Sequence, residues 1–254
     1  MNIPLVLMSF LVGILIGLTS MGGAALMAPF LILMVGVRPV TAVGTDLVYG
    51  AVTKIVGAWI HFKQGTVDLP VVRKLSTGSV PGGIAGALLV VLLPRITHNA
   101  ESYVQRAIGT LLVLVAVILF ARLFIFSSRE TLPPRYLPFL QGYGTVVWGA
   151  VVGFCVGATS VGSGSLLAPF LLLLYPKNTT KVVGTDVFHA AILISVTALA
   201  HATGSGVEWN LVPTLLAGSI PGVLLGSRLA VYVPAKPLRT GLATLLLVTG
   251  CRML

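Results

Sequence analysis

The sequence predicts an all-α polytopic membrane protein built from two inverted-topology repeats, with roughly eight to ten membrane segments that include short broken or re-entrant helices. Three observations carry this. The 254-residue chain is 56% hydrophobic and only 9% charged, whereas a soluble domain carries about a quarter charged residues. The same text occurs twice at a constant spacing along the chain. The loops of the two copies carry opposite charge patterns.

The echo is direct. Gly17-Leu18-Thr19-Ser20 returns as Gly157-Ala158-Thr159-Ser160, and Ala28-Pro29-Phe30 as Ala168-Pro169-Phe170. Gly44-Thr45-Asp46 returns as Gly184-Thr185-Asp186, His61 as His201, and Val67-Asp68 as Val207-Glu208. Gly78-Ser79-Val80-Pro81-Gly82 returns as Gly218-Ser219-Ile220-Pro221-Gly222. A constant offset over so many matches marks a duplicated unit. Gly/Pro-interrupted segments at matching places in two apolar halves point to a transporter.

Each copy divides into five apolar stretches. The first, residues 1–126, holds stretches at 3–18, 24–36, 42–61, 70–93 and 101–126. The opening stretch has no basic leader or cleavage site that stands out, so it reads as a retained helix. The second, residues 140–254, holds 140–158, 165–175, 182–203, 211–233 and 237–254. Residues 127–139, with Pro133-Pro134 and alternating charges, form the linker. The first two stretches of each copy are short, and form two tilted helices or one re-entrant hairpin. Either way each copy crosses an odd number of times.

Loop charge tests that parity. With odd crossings one face collects Lys63, Arg73, Lys74, Arg122, Arg129, Arg135, Lys177, Lys181, Arg228, Lys236 and Arg239. The other keeps Arg38, Arg95, Arg106 and Arg252, and Lys54 stays inside a helix. Four crossings per copy would leave no bias. The basic face is expected in the cytoplasm of an inner-membrane protein, with both termini outside. A net charge of +10 is thus a matter of topology and not of nucleic-acid binding. Cys155 and Cys251 have no metal or redox spacing.

The strongest candidate site is the pair of turns Thr19-Ser20-Met21-Gly22-Gly23 and Thr159-Ser160-Val161-Gly162-Ser163-Gly164-Ser165. Glycine admits close backbone approach, and hydroxyls with free N–H groups at a helix start suit an anion. The bland alternative is that small residues here permit close helix packing. Asp46 and Asp186 read either as functional carboxylates within apolar stretches or as N-caps. Lys54, whose counterpart is Ile194, is either a cation for an anionic substrate or an ion pair with Asp46, eight residues away on the same helix face. His61 and His201 stand at helix ends, and His189 shares a face with Asp186, so all three are candidates for coupling or gating beside ordinary structural roles. No catalytic cluster, metal site or cofactor is expected from these spacings.

The two G-x-T-S turns, the A-P-F that follows each, V-G-T-D and G-S-x-P-G together resemble the sulfite exporter TauE/SafE family, also called the 4-toluene sulfonite uptake permease family. The resemblance covers the chain from Gly13 to about Gly241. It implies a membrane transporter for a sulfur-containing anion such as sulfite or sulfoacetate, with the Thr19-Ser20 and Thr159-Ser160 turns lining its path. Export agrees with a negative cell interior, which favours anion exit by about 2.3 kcal/mol per charge per 100 mV. The alternatives are an anion channel or uniporter, or a membrane subunit of a larger complex. The expected partners are the anion, the bilayer and, through helix surfaces, a second copy.

Overall fold

The computed structural model describes residues 3–19, 23–124, 140–174, 179–204, 206–229, 232–233 and 235–254. Within them the chain is all-helical, as its composition predicts. The first half has α1 (Ile3–Thr19), a 3-10 turn (Gly23–Leu26) leading into α2 (Met27–Leu33), α3 (Pro39–Lys63), α4 (Leu69–Ile96) and α5 (Ala100–Phe124). A wide helical turn at Leu140–Gly144 opens the second. It is followed by α6 (Thr145–Thr159), α7 (Leu167–Leu174), α8 (Thr179–Ala202), α9 (Leu211–Leu229) and α10 (Ala235–Met253). By length and composition five helices can cross a membrane: Leu69–Ile96, Ala100–Ala121, Gly142–Thr159, Thr180–Ala202 and Leu211–Leu229. The linker and Ser20–Gly22 of the first turn lie outside the described residues.

Helix boundaries differ from the sequence expectation in one consequential place. Pro39 supplies the first turn of α3, where a missing N–H costs nothing. The helix therefore starts ahead of Asp46, and α8 likewise starts ahead of Asp186. Neither carboxylate is an N-cap. Both are buried within their helices.

The most extensive contacts pair helices from different halves: α1 with α9, and α4 with α6. Both seams are lined with small residues four apart, Gly78, Gly82 and Gly86 of α4 facing Gly149, Gly153 and Gly157 of α6. A Cβ on Gly82 would overlap the Ala150 backbone, and one on Gly222 the Phe10 backbone. Lipid supplies no hydrophobic drive between helices, so such close backbone contact is what holds them. The contacts recur with partners exchanged. Gly13 meets Ser219 while Gly153 meets Ser79, and Gly44 meets Gly206 while Gly184 meets Thr66.

Contact order also gives helix direction. Gly13 and Gly17 meet Ser219 and Val223 in turn, so α1 and α9 run parallel. Gly78 and Gly86 meet Val146 and Phe154, so α4 and α6 run parallel. Ser79 meets His189 and Gly83 meets Leu193 and Thr197, which aligns α8 with α4. Gly50 meets Ile194 and Gly57 meets Val187, so α3 and α8 are antiparallel. Gly109 meets Met253 while Val113 reaches Gly250, so α5 and α10 are antiparallel too.

Two threonines fasten the halves together. Thr45 donates its hydroxyl to the Thr41 carbonyl (2.7 Å) and accepts the Glu208 N–H (2.9 Å). Thr185 donates to the Lys181 carbonyl (2.6 Å) and accepts the Asp68 N–H (2.9 Å). The repeated Gly-Thr-Asp is thus a fastening: glycine admits the opposite turn and threonine binds it.

Replacing Gly82 or Gly222 by valine is expected to lower the melting temperature of detergent-purified protein by about 5–10 °C. Gly241→Ala, which meets nothing within 4 Å, is the control that should leave it unchanged. Equal melting of all three would reject the seams as the source of cohesion.

Candidate anion site

The second Thr-Ser turn is a break between two helices. Ser160 closes α6 in the left-handed region (φ 60°), and Gly162 follows with φ 111°. A left-handed serine is costly and persists where its surroundings compensate. Here the compensation is a hydrogen bond from the Ser160 hydroxyl to Asp46 Oδ2 at 2.6 Å. Thr159 turns its hydroxyl to the Cys155 carbonyl (2.7 Å) and accepts the Val161 N–H (3.2 Å). The Leu166 and Ala168 amides restart the helix on the Gly162 and Gly164 carbonyls. Ser163 and Ser165 are buried, and the Ser165 hydroxyl has no partner among the described residues.

Lys54 reaches into this turn. Its Nζ donates to Ser163 Oγ at 3.2 Å, across 109 residues of sequence. Asp186 and Asp46 both attract it through space, but its hydrogen bond goes to the turn. Lys54 occurs in one half only, so one ammonium serves two symmetry-equivalent carboxylates. One oxygen of Asp186 has no partner among the described residues. Its position relative to Ser20, the counterpart of Ser160, lies outside them.

A cavity of about 310 Å³ runs from this cluster along α3. Asp46, Lys54, Ser160 and Ser163 line its inner end, and His61 and Ser227 its outer end. From Asp46 to His61 is about 22 Å of helix. Lys63 and Arg228 stand exposed beside the outer residues. Sequence reasoning missed Thr53, Gly57, Val223 and Ser227 as lining residues; none is charged or part of the echo's strongest matches. It also missed Ser79, whose hydroxyl meets His189 Nε2 at 2.7 Å. The G-S-x-P-G repeat contained that signal.

The structure thus brings Lys54, Asp46, Ser160 and Ser163 together. Thr159 supports the turn from behind. His61 stands at the other end of the cavity, and His201 is buried away from it, donating Nε2–H to the Gly157 carbonyl at 2.8 Å.

A basic side chain, hydroxyls and a broken helix at the end of a cavity between duplicated halves are the kind of arrangement from which transporters build a site. The profile of the sulfite exporter TauE/SafE family matches residues 5–253. The chain belongs to that family. The chain is similar to probable membrane transporter protein YjnA of Bacillus subtilis (strain 168), 38% identical over 257 residues covering all of both chains. YdhB of the same organism, also a probable membrane transporter protein, is 23% identical and covers 98% of this chain and 99% of its own. MJ0441 of Methanocaldococcus jannaschii, likewise a probable membrane transporter protein, is 23% identical, covering 98% of this chain and 94% of its own. No solved structure gives a significant match.

In this TauE/SafE protein, Ser160→Ala removes the Asp46 hydrogen bond while keeping the strained backbone. A loss of about 1–3 kcal/mol is expected, read as a melting shift of several degrees. Ser160→Gly relieves the strain and should lose less. Equal loss in both would show that the left-handed backbone stores no strain, and no loss in Ser160→Ala would show that the hydroxyl does not hold Asp46.

Proposed function

We propose that this protein is a secondary transporter that moves a small sulfur-containing anion, sulfite or an organosulfonate such as sulfoacetate, across the bacterial inner membrane, with export the favoured direction. The observation that carries this is Lys54 hydrogen-bonded into the Thr159–Ser165 turn at the inner end of a cavity. An ammonium, serine hydroxyls and the backbone of a helix break recognise an oxyanion by charge and by directed donors. The first turn, Thr19–Gly23, repeats the second in sequence and belongs to the same proposal.

The repeats, 1–126 and 140–254, are related by inversion about an axis in the membrane plane. The opposed directions of α3 and α8, with α4 parallel to α8, support this. The basic loops, with Lys63 and Arg228 beside the cavity mouth, support a mouth at the cytoplasmic face. A cationic mouth concentrates anions before they enter. Two carboxylates against one ammonium leave a charge deficit for binding an anion, so Asp46 or Asp186 takes up a proton when substrate enters.

Thermal-stabilisation screening of purified protein against sulfite, sulfoacetate, taurine, thiosulfate and sulfate should single out one anion class. Lys54→Ala should weaken its binding by about tenfold to a hundredfold. In proteoliposomes the flux is expected to saturate and to respond to a pH gradient. Flux that never saturates and ignores the gradient would make the protein a channel, and unchanged affinity in Lys54→Ala would remove that residue from the site.

A further inference from the structure

The two halves share a plan but not a conformation, and the largest difference lies at one interface. α8 packs along α4, whereas its counterpart α3 touches α9 over a shorter stretch. The cross-half seams are equally tight on both sides: a Cβ on Gly17 would overlap the Val223 carbonyl, and one on Gly157 the Gly83 carbonyl. On the α4–α8 side Thr197 and His201 are fully buried, and His189 bonds Ser79. On the α3–α9 side their counterparts Gly57 and His61 line the cavity. Tyr49, the counterpart of His189, interacts with Ser219 there, but without the close hydrogen-bond geometry that joins His189 to Ser79 at 2.7 Å.

The histidines differ in the same sense. His201 Nε2–H holds the Gly157 carbonyl at 2.8 Å and ties α8 to α6. Gly17 is the counterpart of Gly157 and lines the open cavity together with His61. His61 is held elsewhere: its Nδ1 lies 3.0 Å from Thr66 Oγ1. The Thr66 hydroxyl donates to the His61 carbonyl (3.0 Å), so the ring is the donor in that contact. In the other half Thr66 is replaced by Gly206, which has no hydroxyl to hold His201 off.

We infer that His201 and His61 are alternating latches. His201 on the Gly157 carbonyl closes the α4–α8 side in the conformation described here. When the cavity reverses, His201 releases, and His61 leaves Thr66 to bind the Gly17 carbonyl, closing the α3–α9 side. α1 with α9 and α4 with α6 stay as pairs, while α3 and α8 swing against them. The inference rests on the secondary-transporter reading above, taken to open its cavity to each side in turn, and it adds the atoms that hold each closed state.

The test measures reaction of purified protein with a charged methanethiosulfonate reagent, after replacing Cys155 and Cys251 by alanine. One reporter is Ser227→Cys at the open cavity, and the other is Thr197→Cys on the closed side; both are near-isosteric. His201→Ala should raise the Thr197→Cys rate about tenfold, the scale of one buried hydrogen bond, and lower the Ser227→Cys rate. His61→Ala should do the opposite, and His201→Gln, which keeps an N–H donor, should stay near the parent. Shifts in the same direction for both alanine variants, or none, overturn the latches. If His201→Ala fails to fold, His61→Ala decides alone, because loss of its latch must slow Thr197→Cys. Flux in proteoliposomes separates the two claims. Opposed labelling shifts without anion flux keep the latches and reject the substrate, whereas saturable flux with no opposed shifts rejects the latches only.

Discussion

Everything in this molecule depends on how closely α1 approaches α9 and α4 approaches α6. In a bilayer, apolar side chains gain nothing by leaving lipid for one another, so cohesion comes from contact distance and satisfied polar groups. Glycines at four-residue spacing bring the backbones together until a single added methyl would overlap. Each seam joins one half to the other, so neither half is a separable unit. The cross-half seams also leave α3 and α8 against each other between the two pairs, and these helices carry Asp46, Asp186, Lys54, His61 and His201.

That arrangement explains why polar residues are tolerated at membrane depth. An irregular backbone inside a bilayer survives only where protein or a cavity surrounds it. The Thr159–Ser165 turn meets the condition through Asp46, which takes the Ser160 hydroxyl, and through Lys54, which takes Ser163. The charged side chains thus have two functions. They complete a broken helix, and they present the only cation within the helical core of α3 and α8 away from the helix ends.

Much of the fold was legible in the sequence because it was written twice. Apolar length located the helices to within a few residues, and the 140-residue echo aligned the halves. The N-cap alternative for Asp46 failed for a local reason: Pro39 occupies a first turn and starts the helix ahead of it. Lys54 was visible as an intramembrane cation, but its partner was not, since Ser163 lies on another helix break 109 residues away. The one-sided cavity was not legible at all. Gly17 and Gly157, or His61 and His201, read alike in sequence; packing of α3 and α8 makes one pair open and the other closed.

Duplication alone would give two equal sites, each half offering a carboxylate and a turn. A transporter gains from breaking that equality at few positions. With lysines at both 54 and 194, two ammonium groups would hold an anion against release and crowd the space where α3 crosses α8. Isoleucine at 194 leaves a single cation, attracted by Asp186 and Asp46 together; under the proposed function that one ammonium serves the substrate whichever way the cavity opens. The same economy holds at the gates. Thr66 against Gly206 is a difference of one small side chain: His61 rests against the threonine hydroxyl at the mouth, whereas His201, facing a glycine there, binds the carbonyl of its neighbouring helix.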